Sequence, residues 1–189
     1  MTIPQLFTAL YWAWIALEIL LQLVTRSNRS HGKIKDRGSL LLLFPVVFAS
    51  VWVATWYGET HAPTMPGAVL GYRTVGLALL IAGLAIRCTA ILTLGSSFST
   101  NVAIHATQTL RTTGLYRWVR HPSYTGMIVI FTGIGIYLCN WVSLAIVLIF
   151  PIAVLLYRIH VEEMALSEAF GEQHRVYSSG TSRLLPGIY

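Results

Sequence analysis

The sequence predicts an all-α, polytopic membrane protein. Of its 189 residues 55% are hydrophobic and only 11% charged. The mean hydropathy is +0.65. Apolar runs of about 20 residues recur along the chain, the length a helix needs to cross a bilayer. Hydrocarbon satisfies no backbone polar group, so such runs must be helical. A membrane barrel would show short alternating segments instead. The net charge of +6 sits in the loops between apolar runs, which is a topology pattern and not a nucleic-acid surface.

About five transmembrane helices can be drawn, at roughly 3–24, 40–57, 67–94, 122–138 and 141–157. Arg26 is the first basic residue, so the start of the chain lacks the positive region of a cleaved signal, and the first helix is expected to be retained. The last two form a hairpin turning at Cys139-Asn140. Each holds about 16 apolar-leaning residues, short of a full crossing. Pro151 is expected to kink the fifth. The pair therefore reads as a short, tilted or partly buried hairpin against the first three helices. Gly76 and Gly83 in the third helix, and Gly126, Gly133 and Gly135 in the fourth, permit close helix approach or reflect the ordinary glycine content of membrane helices. Cys88 and Cys139 lie in or beside apolar segments and read as buried thiols.

Orientation follows from the loops. Arg26, Arg29, Lys33, Lys35 and Arg37 crowd the first loop, and the second, around 59–66, has no Lys or Arg. Arg111, Arg117 and Arg120 follow the third helix, and Arg175 and Arg183 follow the fifth. This puts the first loop, the segment 95–121 and the C-terminal tail in the cytosol, and the N-terminus outside. Within 95–121, Gly95–Asn101 reads as loop, 102–104 as a short extended piece and Thr112-Thr113-Gly114 as a turn. A long irregular excursion is usually functional or disordered, and its Leu, Tyr and Trp content argues against disorder. The whole reads as a single domain, 1–189, with a three-helix part, 1–94, and a motif-bearing part, 95–189.

Two polar clusters could carry chemistry. In the first, His121 precedes Pro122 and is pushed towards an extended conformation, while Pro122 suits the first turn of a helix. His121 thus sits at a helix entrance beside unpaired N–H groups. Tyr116 and Tyr124 add faces able to stack an adenine or sit against a sulfonium. The plainer alternative is an interfacial anchor. In the second, Arg158 and Glu162 are four residues apart and share a helical face, with Glu163 about 100° further round. Here the plainer alternative is a surface ion pair. The following Phe170-Gly171 and Arg183-Leu184-Leu185-Pro186 indicate a folded tail. Glu18 and Arg87 are intramembrane charges, which pair or line a pathway; otherwise Arg87 snorkels and Glu18 faces a water-filled site. Arg73 reads as a snorkelling anchor. The histidines show no metal-ligand spacing, and no metal is expected.

Gly114-x-Tyr116-x-x-x-Arg120-His121-Pro122-x-Tyr124-x-Gly126, then Arg158-x-x-x-Glu162-Glu163-x-x-Leu166-x-x-x-Phe170-Gly171, then Arg183-x-x-Pro186 resemble the isoprenylcysteine carboxyl methyltransferase family in order and spacing. The resemblance covers about 108–186. It implies S-adenosylmethionine as methyl donor and S-adenosylhomocysteine as product. It implies a donor site of Gln108, Thr109, Leu110, Arg111, Tyr116, His121, Pro122, Ser123, Tyr124 and Glu162. It makes Arg158 and Glu162 the catalytic pair, with Arg158 on the substrate carboxylate. Gln108 departs from the His often found at its place. The implied partners are membrane lipids and a lipophilic acceptor entering from the bilayer, most directly the α-carboxylate of an isoprenylated cysteine or a similar lipid acid. The implied compartment is the inner (plasma) membrane of a prokaryote or the endoplasmic reticulum of a eukaryote.

A carboxylate acceptor is ionised at neutral pH (reference value about 4) and needs no general base, and an Arg fork suits it. A lipid amine or thiol would need one, with Glu163 or His121 as candidates. Two further classes are an NADPH-dependent membrane lipid or sterol reductase, which shares a His-Pro-x-Tyr element, and a non-catalytic membrane scaffold.

Overall fold

The computed structural model describes residues 1–27, 33–34, 38–95, 98, 103–104 and 110–187. Within them the chain forms helices α1 (Ile3–Ser27), α2 (Ser39–Thr60), α3 (Val69–Leu94), α4 (Pro122–Tyr137), α5 (Trp141–Phe170) and α6 (Glu172–Ser179). Four of these, α1, α2, α3 and α5, are long and apolar enough to cross a membrane, and α4 is a shorter apolar helix. The protein is thus an all-α integral membrane protein.

The expected short hairpin is half right. α4 has 16 residues, but α5 runs unbroken for 30, about 45 Å at the α-helical rise. The apolar run ends at Tyr157, where Arg158, Glu162 and Glu163 interrupt it. The helix continues because straight-chain Arg and Glu are good helix formers and these three find partners. Pro151 lies inside α5, buried, and does not end it. Gly171, at φ +49°, makes the corner into α6. That left-handed conformation is cheap only without a Cβ.

Asn140 starts α5 by accepting from the N–H groups of Val142 (2.9 Å) and Ser143 (3.4 Å). Its Nδ2 donates to the Ala62 carbonyl, 3.2 Å away, and the Cys139 carbonyl accepts from Thr64 and Met65 N–H. The α4–α5 turn is thereby docked on the α2–α3 loop. At the opposite end, Glu18 meets Arg87, Ser39 meets Arg158 and Tyr124 meets Glu162. The ends of α1 and α3, the starts of α2 and α4 and the later part of α5 therefore share one end of the molecule, as the alternating topology requires.

In space α1 lies beside α3, α3 against α4, α4 against α5 and α5 against α2. The α3–α4 contact is backbone on backbone. A Cβ on Gly76 would lie 2.6 Å from the Gly133 carbonyl oxygen, and one on Gly83 2.8 Å from that of Gly126. Trp14, Leu80, Ile130, Phe131, Ile134, Val147 and Leu155 fill the core between the helices. A two-residue antiparallel pairing of β1 (Lys33–Ile34) with β2 (Ala103–Ile104) joins the α1–α2 loop to the segment after α3. It falls on the extended piece expected at 102–104.

Candidate active site at the entrance of α4

The site is assembled from the entrance of α4, one face of α5 and the tail. A 3₁₀ turn, Gly114–Arg117, leads from α3 towards α4. Residues 118–121 then run beside 182–183. Arg120 N–H donates to the Ser182 carbonyl (2.8 Å), His121 N–H to that of Arg183 (3.0 Å), and Ser182 N–H to that of Trp118 (3.4 Å). Thr125 Oγ1 donates to the Leu184 carbonyl at 2.8 Å. Tyr177 Oη donates to the Tyr116 carbonyl at 2.6 Å. The tail is part of the site wall, as its composition suggested.

Four of the expected residues converge. Glu162 accepts from Tyr124 Oη at 2.6 Å and faces Arg158 Nη2 and His121 Nδ1, both at 3.4 Å. Arg158 Nε donates to Tyr124 Oη (2.9 Å) and Nη1 to Ser39 Oγ (2.8 Å). Arg158 is 1% exposed, so the surface ion-pair alternative does not hold. The His121 and Tyr124 rings stack with centroids 5.7 Å apart.

Glu163 forms a second knot. Arg120 Nε donates to one oxygen at 2.7 Å and Arg183 Nε to the other at 2.8 Å. His121 Nε2 stands 3.4 Å away, too poorly aligned for a hydrogen bond. Arg120 Nη1 also donates to the carbonyls of Ser178 and Thr181. His121 therefore sits between two carboxylates. Burial pushes its pKa down, but the two neighbouring carboxylates, Glu162 and Glu163, outweigh it, and the net shift is up. Burial, with the negative charge of Glu162, raises the Tyr116 hydroxyl. Burial also pushes Tyr177 up to about 12 against Arg120 and Thr181. Three guanidiniums and an imidazole thus surround two carboxylates, leaving surplus positive charge to meet an anionic group.

Deeper in the bundle, Glu18 and Arg87 pair in bidentate form, the first of the two readings the sequence left open. Nε–Oε1 is 2.5 Å and Nη2–Oε2 is 2.6 Å. Trp14 Nε1 donates to Glu18 Oε1 at 3.0 Å. Arg73, towards the other end, lies over the Tyr137 ring at 5.7 Å.

The remaining expected site residues are less convergent. Gln108 and Thr109 lie outside the described residues. Leu110 is half-buried and Arg111 exposed. Tyr116 is buried, with its hydroxyl 3.4 Å from the Ala90 carbonyl on α3. Pro122 is buried in the first turn of α4. Ser123 turns inward, its Oγ accepting from Arg87 Nη1 at 2.7 Å. Sequence reasoning missed Ser39, a serine at the start of an apolar run with nothing to mark it. It also gave no role to Arg120 or Arg183, and Glu163 only that of a base for an amine or thiol acceptor, although all three stand inside the motifs.

Residues 76–168 match the isoprenylcysteine carboxyl methyltransferase (ICMT) family. The chain is 35% identical over 115 residues to protein-S-isoprenylcysteine O-methyltransferase A of Arabidopsis thaliana, covering 60% of this chain and 58% of that protein. It is 34% identical over 149 residues to the protein-S-isoprenylcysteine O-methyltransferase of Rattus norvegicus, covering 78% and 52%. A solved structure of the eukaryotic intramembrane Ras methyltransferase ICMT superposes with a TM-score of 0.60 at 29% identity, over 77% of this chain and 52% of that one. The chain thus spans between half and two thirds of the length of these relatives. The matched stretch holds Arg87, the α4 entrance and both Glu162 and Glu163.

Proposed function

From its place in the isoprenylcysteine carboxyl methyltransferase family, to which this chain belongs, we propose that it methylates a lipophilic carboxylate, in the first instance that of an isoprenylated cysteine. S-adenosylmethionine is the proposed donor. The observation that carries this reading is the buried cluster of Arg158, Tyr124, Glu162 and His121 at one end of the bundle. When bound, the donor supplies a methyl group on a sulfonium, open to in-line attack. The residues present suit it. Glu162 offers a carboxylate for an ammonium group, the stacked His121 and Tyr124 rings offer flat surfaces, and the surplus guanidinium charge suits its carboxylate.

The proposed donor site comprises Gln108, Thr109, Leu110, Arg111, Tyr116, His121, Pro122, Ser123, Tyr124 and Glu162. Arg158 is the proposed anchor for the acceptor carboxylate. Its Nε and Nη1 already hold Tyr124 and Ser39, so an incoming carboxylate would share the fork with Ser39 or replace its longer contact with Glu162. The acceptor needs no base, only alignment and loss of its water shell. His121 holds its proton to higher pH than an ordinary imidazole, which leaves less of it as the free base that an amine or thiol acceptor would need. That favours a carboxylate over an amine or thiol.

The loop charges support an external N-terminus and a cytosolic site. The motif residues all lie in the second part of the chain, which favours a division of labour in which 1–94 frames the acceptor and 95–189 holds the donor. The host membrane would be the plasma membrane of a prokaryote or the endoplasmic reticulum of a eukaryote.

Calorimetric titration of the purified, detergent-solubilised protein with S-adenosylhomocysteine tests the donor site. Binding is expected, weakened about tenfold (~1.4 kcal/mol) by Glu162→Ala or Tyr116→Ala. Folded protein that ignores S-adenosylhomocysteine and binds NADPH would point to the reductase class.

A further inference from the structure

The Glu18–Arg87 pair has no place in the chemistry above. It is almost completely buried, with side-chain exposures of 3% and 4%. A buried ion pair is a weak source of stability, because desolvating both charges offsets their attraction, and apolar residues of similar volume often serve as well or better. Charges inside a membrane bundle are costlier still and mark function more often than packing. What the pair does is visible in Arg87's remaining donor. Nε and Nη2 fork onto Glu18, and Nη1 reaches Ser123 Oγ at 2.7 Å and the Ser123 carbonyl at 3.3 Å. Ser123 stands in the first turn of α4, between His121 and Tyr124. The opposite edge of that turn holds Glu162 through Tyr124 Oη.

We propose that Glu18 and Arg87 are positioning residues for the donor site. Glu18, itself held by Trp14 Nε1, sets the angle of the Arg87 guanidinium. Arg87 pins the first turn of α4, and the pinned turn presents His121 and Tyr124 to Glu162. Helix α1 thereby acts on the site through α3. Glu18 lies outside the stretch that matches the family, whereas Arg87 and Ser123 lie inside it. The inference rests on the donor reading above for its ligand, but its structural half can be measured without one.

The double variant Glu18→Leu/Arg87→Met removes the charges together and keeps apolar volume. Arg87→Lys keeps the charge but cannot hold Glu18 and Ser123 with one fork. Thermal unfolding, S-adenosylhomocysteine titration and hydrogen exchange of the ligand-free proteins are measured on each. The double variant is expected to unfold at the wild-type temperature or above and to bind S-adenosylhomocysteine about tenfold more weakly. Arg87→Lys should fall between the two. Exchange should quicken at the amides of 123–127 and stay unchanged along α5. A folded double variant, or Arg87→Lys if the double variant fails to fold, that binds within about twofold of wild type would overturn the proposal. So would exchange that quickens evenly through all helices, which is the mark of a packing role. Wild-type protein that does not bind S-adenosylhomocysteine would sink the donor reading instead, and the exchange pattern would still decide whether the pair orders α4.

Discussion

Tyr124 has the most exacting job of any residue in the site. Its hydroxyl donates to Glu162 and accepts from Arg158, so it sets the distance between the two. Tyr124→Phe keeps the ring and removes that bridge. It should cost about 1–3 kcal/mol of stability, as buried charged partners lose a hydrogen bond, and weaken S-adenosylhomocysteine binding severalfold; chemical denaturation and calorimetry read the two effects. His121 makes a prediction with a sign. Its folded pKa lies above the ordinary value of about 6.5. Its stabilising contribution is therefore complete below that ordinary value and is lost as pH rises through the folded one. The difference in melting temperature between wild type and His121→Asn should be largest in mildly acidic buffer and shrink as the pH is raised; a constant difference would contradict the arrangement. Individual residues were legible where spacing places them on one element, as for Arg158 and Glu162. Ser39 was not, because its meeting with Arg158 spans 119 positions and no local pattern encodes it.

Between helices, α3 and α4 are matched by two glycine pairs with the same separation, Gly76 with Gly133 and Gly83 with Gly126. The sequence shows the glycines but not which have a partner. Gly71 stands in the same helix α3 with open space around it, while a Cβ at Gly83 would lie 2.7 Å from the Ile130 backbone nitrogen. Gly83→Ala should therefore destabilise by about 1–3 kcal/mol through overpacking. Gly71→Ala should be neutral or gain up to about 1 kcal/mol from helix propensity. Equal melting temperatures for the two variants would contradict the close contact. The same limit explains α5. Hydropathy marks where a helix stops being apolar, not where it stops being a helix. The 13 residues from Arg158 to Phe170 stay helical, with Arg158, Glu162 and Glu163 answered by Tyr124, His121, Arg120 and Arg183.

At the scale of the molecule, one end is held by uncharged turn contacts around Asn140 and the other by charge. The charged end gathers six segments that are distant in sequence: the end of α1, the start of α2, the end of α3, the entrance of α4, the later part of α5 and the tail. The order and alternation of the helices were legible from apolar runs and loop charges, because the bilayer imposes both. The closure of the tail was only hinted at, since its pairing with 118–121 runs through backbone groups that any sequence carries. In the proposed function this gathering is the positively lined site that strips and aligns a lipid carboxylate. That role is tested most directly by incubating the purified protein with methyl-labelled S-adenosylmethionine and N-acetyl-farnesylcysteine, then treating the product with base. Label is expected in a base-labile methyl ester, lost when Arg158→Met or Glu162→Ala replaces wild type. Label that survives base, or transfer that persists without Arg158, would contradict it.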